Sequence, residues 1–206
     1  SLPYQAMDGL TDTTVSWWHV TASSTDDMTI LSGANATQFN EFWTRFDNST
    51  RYFHYYQGAG EQFNLDNPTT YNDETWQHFL VTSEDAIDSM NLYVNGVGDN
   101  ENPDPQPIAA LDIAPGGLIV GQDQDALGGN FSTAENFEGF LDELRIASVV
   151  RSAEWAELEY ENMANQATFI ATSSVETLTP TQFVELDFWI QHFDNTADEA
   201  DIWVQV

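Results

Sequence analysis

The chain has no cysteine and no lysine. The first absence excludes disulfides, thiolate metal sites and cysteine nucleophiles. The second leaves Arg45, Arg51, Arg145 and Arg151 as the four strong bases, set against 34 acidic residues. A net charge of −30 repels phosphate backbones and anionic membranes, so nucleic acid is not an expected partner. No apolar run approaches the roughly 18 residues that a membrane-spanning helix needs, so membrane insertion is not expected. The opening SLPYQAM has neither a basic nor an apolar leader region and reads as a mature product or as a domain cut from a longer protein. His19, His54, His78 and His192 are scattered and form no H-x-x-x-H zinc pattern. No serine triad, phosphate loop or dinucleotide fingerprint is visible.

What is present is aromatic and acidic. Seven Trp, thirteen Phe and seven Tyr supply a full core and argue against disorder. The carboxylates are read first as a solvated surface suited to a salty habitat, where screening weakens self-repulsion. Cation binding needs only a few of them. Tripeptides beginning at Asn35, Asn48 and Asn130 match the glycosylation acceptor, which matters only in a eukaryotic secretory host.

Runs rich in β-branched and aromatic residues mark the strands. These are 13–21, 28–31, 76–82 and 91–94, the last closed by the Asn95-Gly96 turn signal. Segments 39–46 and 51–57 flank Asp47-Asn48-Ser49 as a hairpin. Residues 64–73 and 98–107 read as loops. Ser152 is placed to cap one short helix over 153–163, with Trp155 and Leu158 as its packing residues. Strands at this spacing with one helix predict an all-β sandwich. Residues 1–172 are expected to form it. Residues 173–206 form an appended β segment that completes the sandwich or starts a second domain.

The richest stretch is 118–146, LIVGQDQDALGGNFSTAENFEGFLDELRI, a strand, an acidic glycine-rich loop and a strand. Calcium takes about six to eight hard oxygen ligands in flexible geometry. Two carboxylates at i and i+2, Asp123 and Asp125, with the Gln124 carbonyl between them, converge on one ion where the chain turns. Gly128-Gly129 permits that turn. The competing reading is an acidic loop in an acidic protein, where some D-x-D is expected by chance.

Two segments carry a family resemblance. WQHFLVTSEDAIDSMNLYVNGV and FEGFLDELRIASVVRSAEWAELE resemble the Trp strand, hairpin and closing strand of laminin-G-like domains. GQDQDALGGNFSTAENFEG resembles the calcium loop of pentraxins. The resemblance covers roughly residues 10–163 and implies a concanavalin-type jelly-roll β-sandwich, usual in secreted or surface proteins. It implies Ca2+ held by Asp123, the Gln124 carbonyl and Asp125, with Glu135 on the outgoing side and Asn40 from the QFNEFW lead-in. Phe39 and Ser132 stand where that family has further acidic ligands, which favours one ion over two.

Other residues are weighed on their spacing. Asp142 is in phase with Phe140, Leu144 and Ile146 and is expected to face inward as a hydrogen-bonded fold residue. His78 shares a face with Trp76 and Leu80 and reads as a core histidine. Trp43, His54 and Tyr56 are candidate ligand-binding aromatics for sugar rings or a protein partner. Glycoside hydrolases of this fold use two carboxylates about 5–5.5 Å apart in retaining enzymes. The nearest match, Glu185-Leu-Asp187, lacks the final acid because Ile190 stands there. The expected function is a non-catalytic, calcium-dependent recognition module of a bacterial adhesin-like or pilus-associated surface protein. Carbohydrate is its favoured ligand class, and it forms part of a larger multidomain protein. A calcium-stiffened spacer and a glycoside hydrolase are the alternatives.

Overall fold

The strands are built where aromatic and β-branched residues concentrate, and each pairs antiparallel with its neighbour. The structure is a computed structural model. It describes residues 1–23, 27–47, 52–57, 62–66, 71–99 and 108–165, with the backbone alone for 47, 52–56 and 62–66. The chain divides into two compact units, Ser1–Phe169 and Ile170–Val206. The second unit lies outside the described residues, and with it the appended β segment expected over 173–206.

In chain order the strands are β1 (Thr13–Val20), β2 (Met28–Gly33), β3 (Phe42–Asp47), β4 (Tyr52–Gln57), β5 (Gln62–Asp66), β6 (Gln77–Glu84), β7 (Ser89–Val94), β8 (Val97–Gly98), β9 (Leu118–Val120) and β10 (Phe140–Ala147). They form two five-stranded sheets, β10-β1-β6-β7-β8 and β5-β4-β3-β2-β9. This is the jelly-roll sandwich that the sequence predicts. The loop expected from residue 64 instead begins with β5, whose Asn64 and Asp66 pair with His54 and Tyr52. Its polar residues suit an edge strand, where one flank lacks a partner.

The core lies between the sheets. Trp17 stacks on Phe79 with centroids 5.6 Å apart. Phe46 lies against Tyr71 at 4.2 Å and edge-on to Phe79 at 5.2 Å. Full burial of a side chain such as Phe79 or Phe46 contributes about 1.5–3 kcal/mol. His19 is fully buried among Phe46, Phe79 and Phe137. It accepts from Trp17 Nε1 at 3.2 Å, so its other nitrogen donates to the Tyr71 carbonyl, also at 3.2 Å. Burial lowers its pKa to about 4, so the ring is neutral.

The first sheet is covered on its outer side as well, which is why β1 and β6 are buried along almost their whole length. The cover is the helix α1 (Ala153–Ala164), whose first turn is capped by Ser152 Oγ accepting from Trp155 N. Trp155 is half-buried as expected, but Leu158 is 41% exposed. The helix packs instead through Ala156, Glu159 and Tyr160, with Tyr160 stacked on Trp18 at 5.7 Å. His78 is buried beneath this helix rather than between the sheets, 3.5 Å from the Glu159 carboxylate. Gly96 (φ 78°) closes the β7–β8 turn where a Cβ would come within 3.0 Å of the Glu157 Cα, so glycine serves both the turn and the approach of the helix.

Asp142 does not face inward. Leu141, Leu144 and Ile146 pack against the core, whereas Phe140 and Asp142 are exposed on the outer face. The register between β1 and β10 shifts between Ser16 and Trp18, and Glu143 takes a left-handed φ of 52° there. That β-bulge inverts the inward and outward phase for the residues before it, which strict alternation cannot anticipate. Asp142 Oδ1 accepts from Glu143 N at 2.8 Å and stabilises the bulge.

Among the described residues no helix is long and apolar enough to cross a membrane.

Candidate functional site

The acidic loop grows from the end of β9, at the edge of the second sheet. Gly121, at φ 74°, turns the chain out of the strand. Its amide donates to the Ile30 carbonyl at 2.8 Å, and its carbonyl accepts from Phe137 N at 3.0 Å. The two ends of the loop are thereby joined. Asn136 forms an isolated bridge with Thr29, which lays the outgoing arm along β2.

One side chain holds the loop's interior. The Gln124 amide is fully buried. Its Nε2 donates to Ser32 Oγ at 3.0 Å and to the Gly117 carbonyl at 2.7 Å, and its Oε1 accepts from Gly128 N at 2.9 Å. Ser32 Oγ in turn donates to the Gln122 carbonyl, and Gln122 Nε2 donates to the Ser132 carbonyl, both at 2.8 Å. The sequence placed Gln124 at the site through its backbone carbonyl. The structure adds a separate role for its side chain as the clasp of the loop.

This scaffold sets the carboxylates. Asp123 is 6% exposed, with Oδ1 accepting from Gln124 N at 2.8 Å. Asp125 is exposed. Glu135 ends the short 3-10 turn Thr133–Glu135, which Ser132 Oγ caps by accepting from Ala134 N. Burial pushes the Asp123 carboxyl up to about 6, and the charges of Glu135 and Asp125 add to the rise. The bond from Gln124 N and the Arg45 guanidinium act against it. Glu135 is raised by burial and by Asp125 and Asp27.

Two residues at this site were not singled out from the sequence. Arg45 on β3 pairs with Asp27 at 2.5 Å, and its guanidinium lies 3.9 Å over the Trp43 ring. Nothing in the spacing marks them. They meet because β2 and β3 pair with Thr29 opposite Arg45. A cue was the rarity of bases in this chain, which makes any arginine beside an acidic loop informative.

The candidate set is therefore gathered in part. Asp123, Asp125 and Glu135 are brought within range of one another's charge. Among the described residues no group of three or more His, Asp or Glu side chains closes tightly enough to hold a metal ion as it stands. Asn40 is half-buried in the turn before β3, beside Glu41, whose Oε1 accepts from Asp112 N at 2.9 Å. Trp43, expected as an exposed platform, is 4% exposed, covered by Arg45 and donating from Nε1 to Thr29 Oγ1 at 3.0 Å. His54 and Tyr56 lie opposite Arg45 and Trp43 on β4, and their side chains lie outside the description. Glu185 and Asp187 lie outside the described residues.

The donor chemistry fits a hard cation. A nearly buried carboxylate beside two more, with a single arginine as counter-charge, carries a desolvation cost that a cation would relieve.

A family model of the Concanavalin A-like lectin/glucanases superfamily, of the laminin G type, matches residues 1–156, and the chain belongs to that family. Among curated proteins it is similar to C-reactive protein 1.1 of Limulus polyphemus, 27% identical over 146 residues, which cover 70% of this chain and 60% of that one. The chain thus spans about 60% of the length of the curated relatives it matches. Among solved structures it is similar to the native heptameric SAP-like pentraxin of Limulus polyphemus, with a TM-score of 0.61, 19% identity and coverage of 73% of this chain and 70% of that one. It is also similar to domain 4 of an extracellular GH43 arabinanase of Geobacillus stearothermophilus in complex with arabinotriose. There the TM-score is 0.53 and the identity 15%, covering 74% of this chain and 68% of that one.

Proposed function

We propose that this domain is a non-catalytic, calcium-dependent recognition module of an extracellular or cell-surface protein, with carbohydrate as its ligand class. The observation that carries the reading is the Asp123 carboxylate, nearly buried beside Asp125 and Glu135 in a loop clasped by Gln124. Asp123, the Gln124 carbonyl, Asp125 and Glu135 would hold one Ca2+, with Asn40 completing the set from the lead-in to β3. The ion would supply a fixed positive charge able to take ligand hydroxyl oxygens. The chain's own residues position the loop: Gln124 closes it, and Gly121 joins its two ends. The pentraxin-like loop sequence supports the ion. The arabinotriose held by a fold neighbour supports the ligand class. The similarity to a C-reactive protein and a pentraxin supports a role without catalysis.

A surface protein of adhesin or pilus type fits the acidic, cysteine-free composition. Its partner would be a surface glycan or protein, with the domain forming part of a larger multidomain chain and neither nucleic acid nor membrane insertion involved. The second reading is a spacer that calcium only stiffens.

The test is a melting curve with calcium and with chelator, followed by a glycan-array screen under both conditions. The reading expects a higher Tm with calcium and glycan binding that chelator removes. Calcium stabilisation with no glycan retained identifies the spacer. An unchanged Tm refutes the site.

A further inference from the structure

The first sheet carries a second candidate site, on the outer face beyond the end of α1. The register of β1 with β6 and β10 builds it. Trp18 lies between His78 and Asp142, and Val20 lies beside Phe140. The same β1–β6 register carried one step further sets Trp76 across from Val20. Phe140 is 72% exposed and Trp76 50% exposed, unusually high for large rings on a sheet already covered elsewhere by a helix. Trp18, Trp76, Asp142, Met163 and Ala164 enclose a surface pocket of about 280 Å³.

The chemistry of this lining is one-sided. It offers two indole rings and one carboxylate. Among the described residues the buried Trp18 Nε1–H has no hydrogen-bond partner; as a donor it takes no part in holding a cation. α1 ends here at Met163–Ala164, and the end of a helix carries partial negative charge. Arg145, which reaches the lining residue Met163, is already engaged. Its Nη1 donates to Glu159 and its Nη2 to Glu143, both at 2.7 Å, with Met163 Sδ 3.7 Å from Nη2. The half-exposed Trp76 ring presents a π-face that attracts cations, and Asp142 supplies the counter-charge.

We propose that this pocket binds an organic cation of the alkylammonium type, seated against the exposed ring of Trp76 beside Trp18, with its charge toward Asp142. A free amine and a lysine side chain of another protein share that chemistry. The site lies on the opposite sheet from the acidic loop and does not depend on calcium.

The experiment follows the indole N–H resonances of the full chain in chelator, with the Trp76 signal assigned by Trp76→Phe. n-Butylammonium chloride is titrated beside n-butanol and sodium chloride. Nα-acetyl-lysine amide forms a parallel arm, and tighter binding of it than of butylammonium marks a protein side chain as the source. Saturable shifts at Trp18 and Trp76 are expected with the ammonium compounds alone. Asp142→Asn, which keeps the acceptor for Glu143 N, should weaken the midpoint about threefold to tenfold, and Trp76→Ala should remove the saturable response at Trp18. Equal shifts with n-butanol, an unchanged midpoint in Asp142→Asn, or no saturable shift with the ammonium compounds would each overturn the proposal.

Discussion

The side-chain amide of Gln124 donates to the hydroxyl of Ser32 at 3.0 Å, joining the acidic loop to a strand 92 residues earlier. Ser32 lies on β2 between β3 and β9, so this bond anchors the loop to the interior of the second sheet rather than to its edge. Replacing Gln124 by Leu removes this bond, the bond to the Gly117 carbonyl and the bond from Gly128 N. The buried Gly117 carbonyl is left without that donor. The expected loss is about 2–4 kcal/mol in urea unfolding, together with loss of any calcium-induced rise in Tm. A variant as stable as the parent would show that the amide is not what holds the loop.

Asp123→Asn should behave in the opposite sense when no cation is bound. The substitution keeps an oxygen to accept from Gln124 N and removes a nearly buried charge that faces Glu135 and Asp125. In chelator at neutral pH the variant should be more stable than the parent by about 1–2 kcal/mol, because the carboxylate is desolvated without a sufficient counter-charge. With calcium the order should reverse, since a ligand at one hundred times its Kd stabilises the parent by about 2.7 kcal/mol and the variant has lost a ligand oxygen. Differential scanning calorimetry of both proteins in both conditions decides it. A variant less stable in chelator would mean that the carboxylate already has a partner.

How far the sequence reveals this molecule depends on whether a feature is local. The aromatic runs at Thr13–Val20 and Gln77–Glu84 are legible because their side chains alone decide that they must be buried. The Asn95-Gly96 turn and the Ser152 cap are legible because a few adjacent residues make them. The phase of Asp142 is not, because a single left-handed residue, Glu143, re-aims everything before it. β5 is missed because an edge strand can be polar, so Asn64 and Asp66 look like loop. The helix face is misjudged because Glu159 is drawn inward by polar partners on β1 and β10, which no helical wheel contains. At the acidic loop Asp123, Asp125 and Glu135 are legible from spacing. Asp27 and Arg45 arrive only through the pairing of β2 with β3.

His19 makes the fold sensitive to acid. It is buried, neutral and satisfied on both ring nitrogens, with a pKa lowered to about 4 from 6.5. In the unfolded chain the ring takes a proton as pH falls through 6.5, whereas in the folded chain it does not until about pH 4. The unfolded state therefore binds more protons in this window, and stability falls as pH falls through it. The contribution is on the order of 3 kcal/mol across the window. Urea midpoints in chelator from pH 7 to pH 4.5 should drop for the parent, and drop less steeply for His19→Gln, which keeps one donor and one acceptor. Parallel slopes for the two proteins would assign the acid sensitivity to the carboxylates instead.

Glu159 gathers on one carboxylate the contacts that hold α1 to the first sheet. Its Oε1 accepts from Ser16 Oγ and from Arg145 Nη1, each at 2.7 Å, and its Oε2 accepts from Trp155 Nε1 at 3.0 Å. Burial alone would raise its pKa, but His78, Ser16 and Arg145 outweigh that and lower it to about 2. The folded value lies below the ordinary 4.5, so this contribution is present above pH 4.5 and is lost as pH falls toward 2. Glu159→Gln keeps the volume and some hydrogen bonding but gives up the charge. Because Arg145 is about half exposed and retains Glu143, the expected cost is modest, about 1–2 kcal/mol. Glu159→Ala should cost more, since the Ser16 hydroxyl and the Trp155 indole beneath the helix lose their acceptor. Hydrogen exchange locates the effect: amides of Ala153–Ala164 should lose protection in both variants while those of β3 stay protected. Uniform loss across both sheets would mean that the carboxylate supports the whole sandwich and not the helix alone.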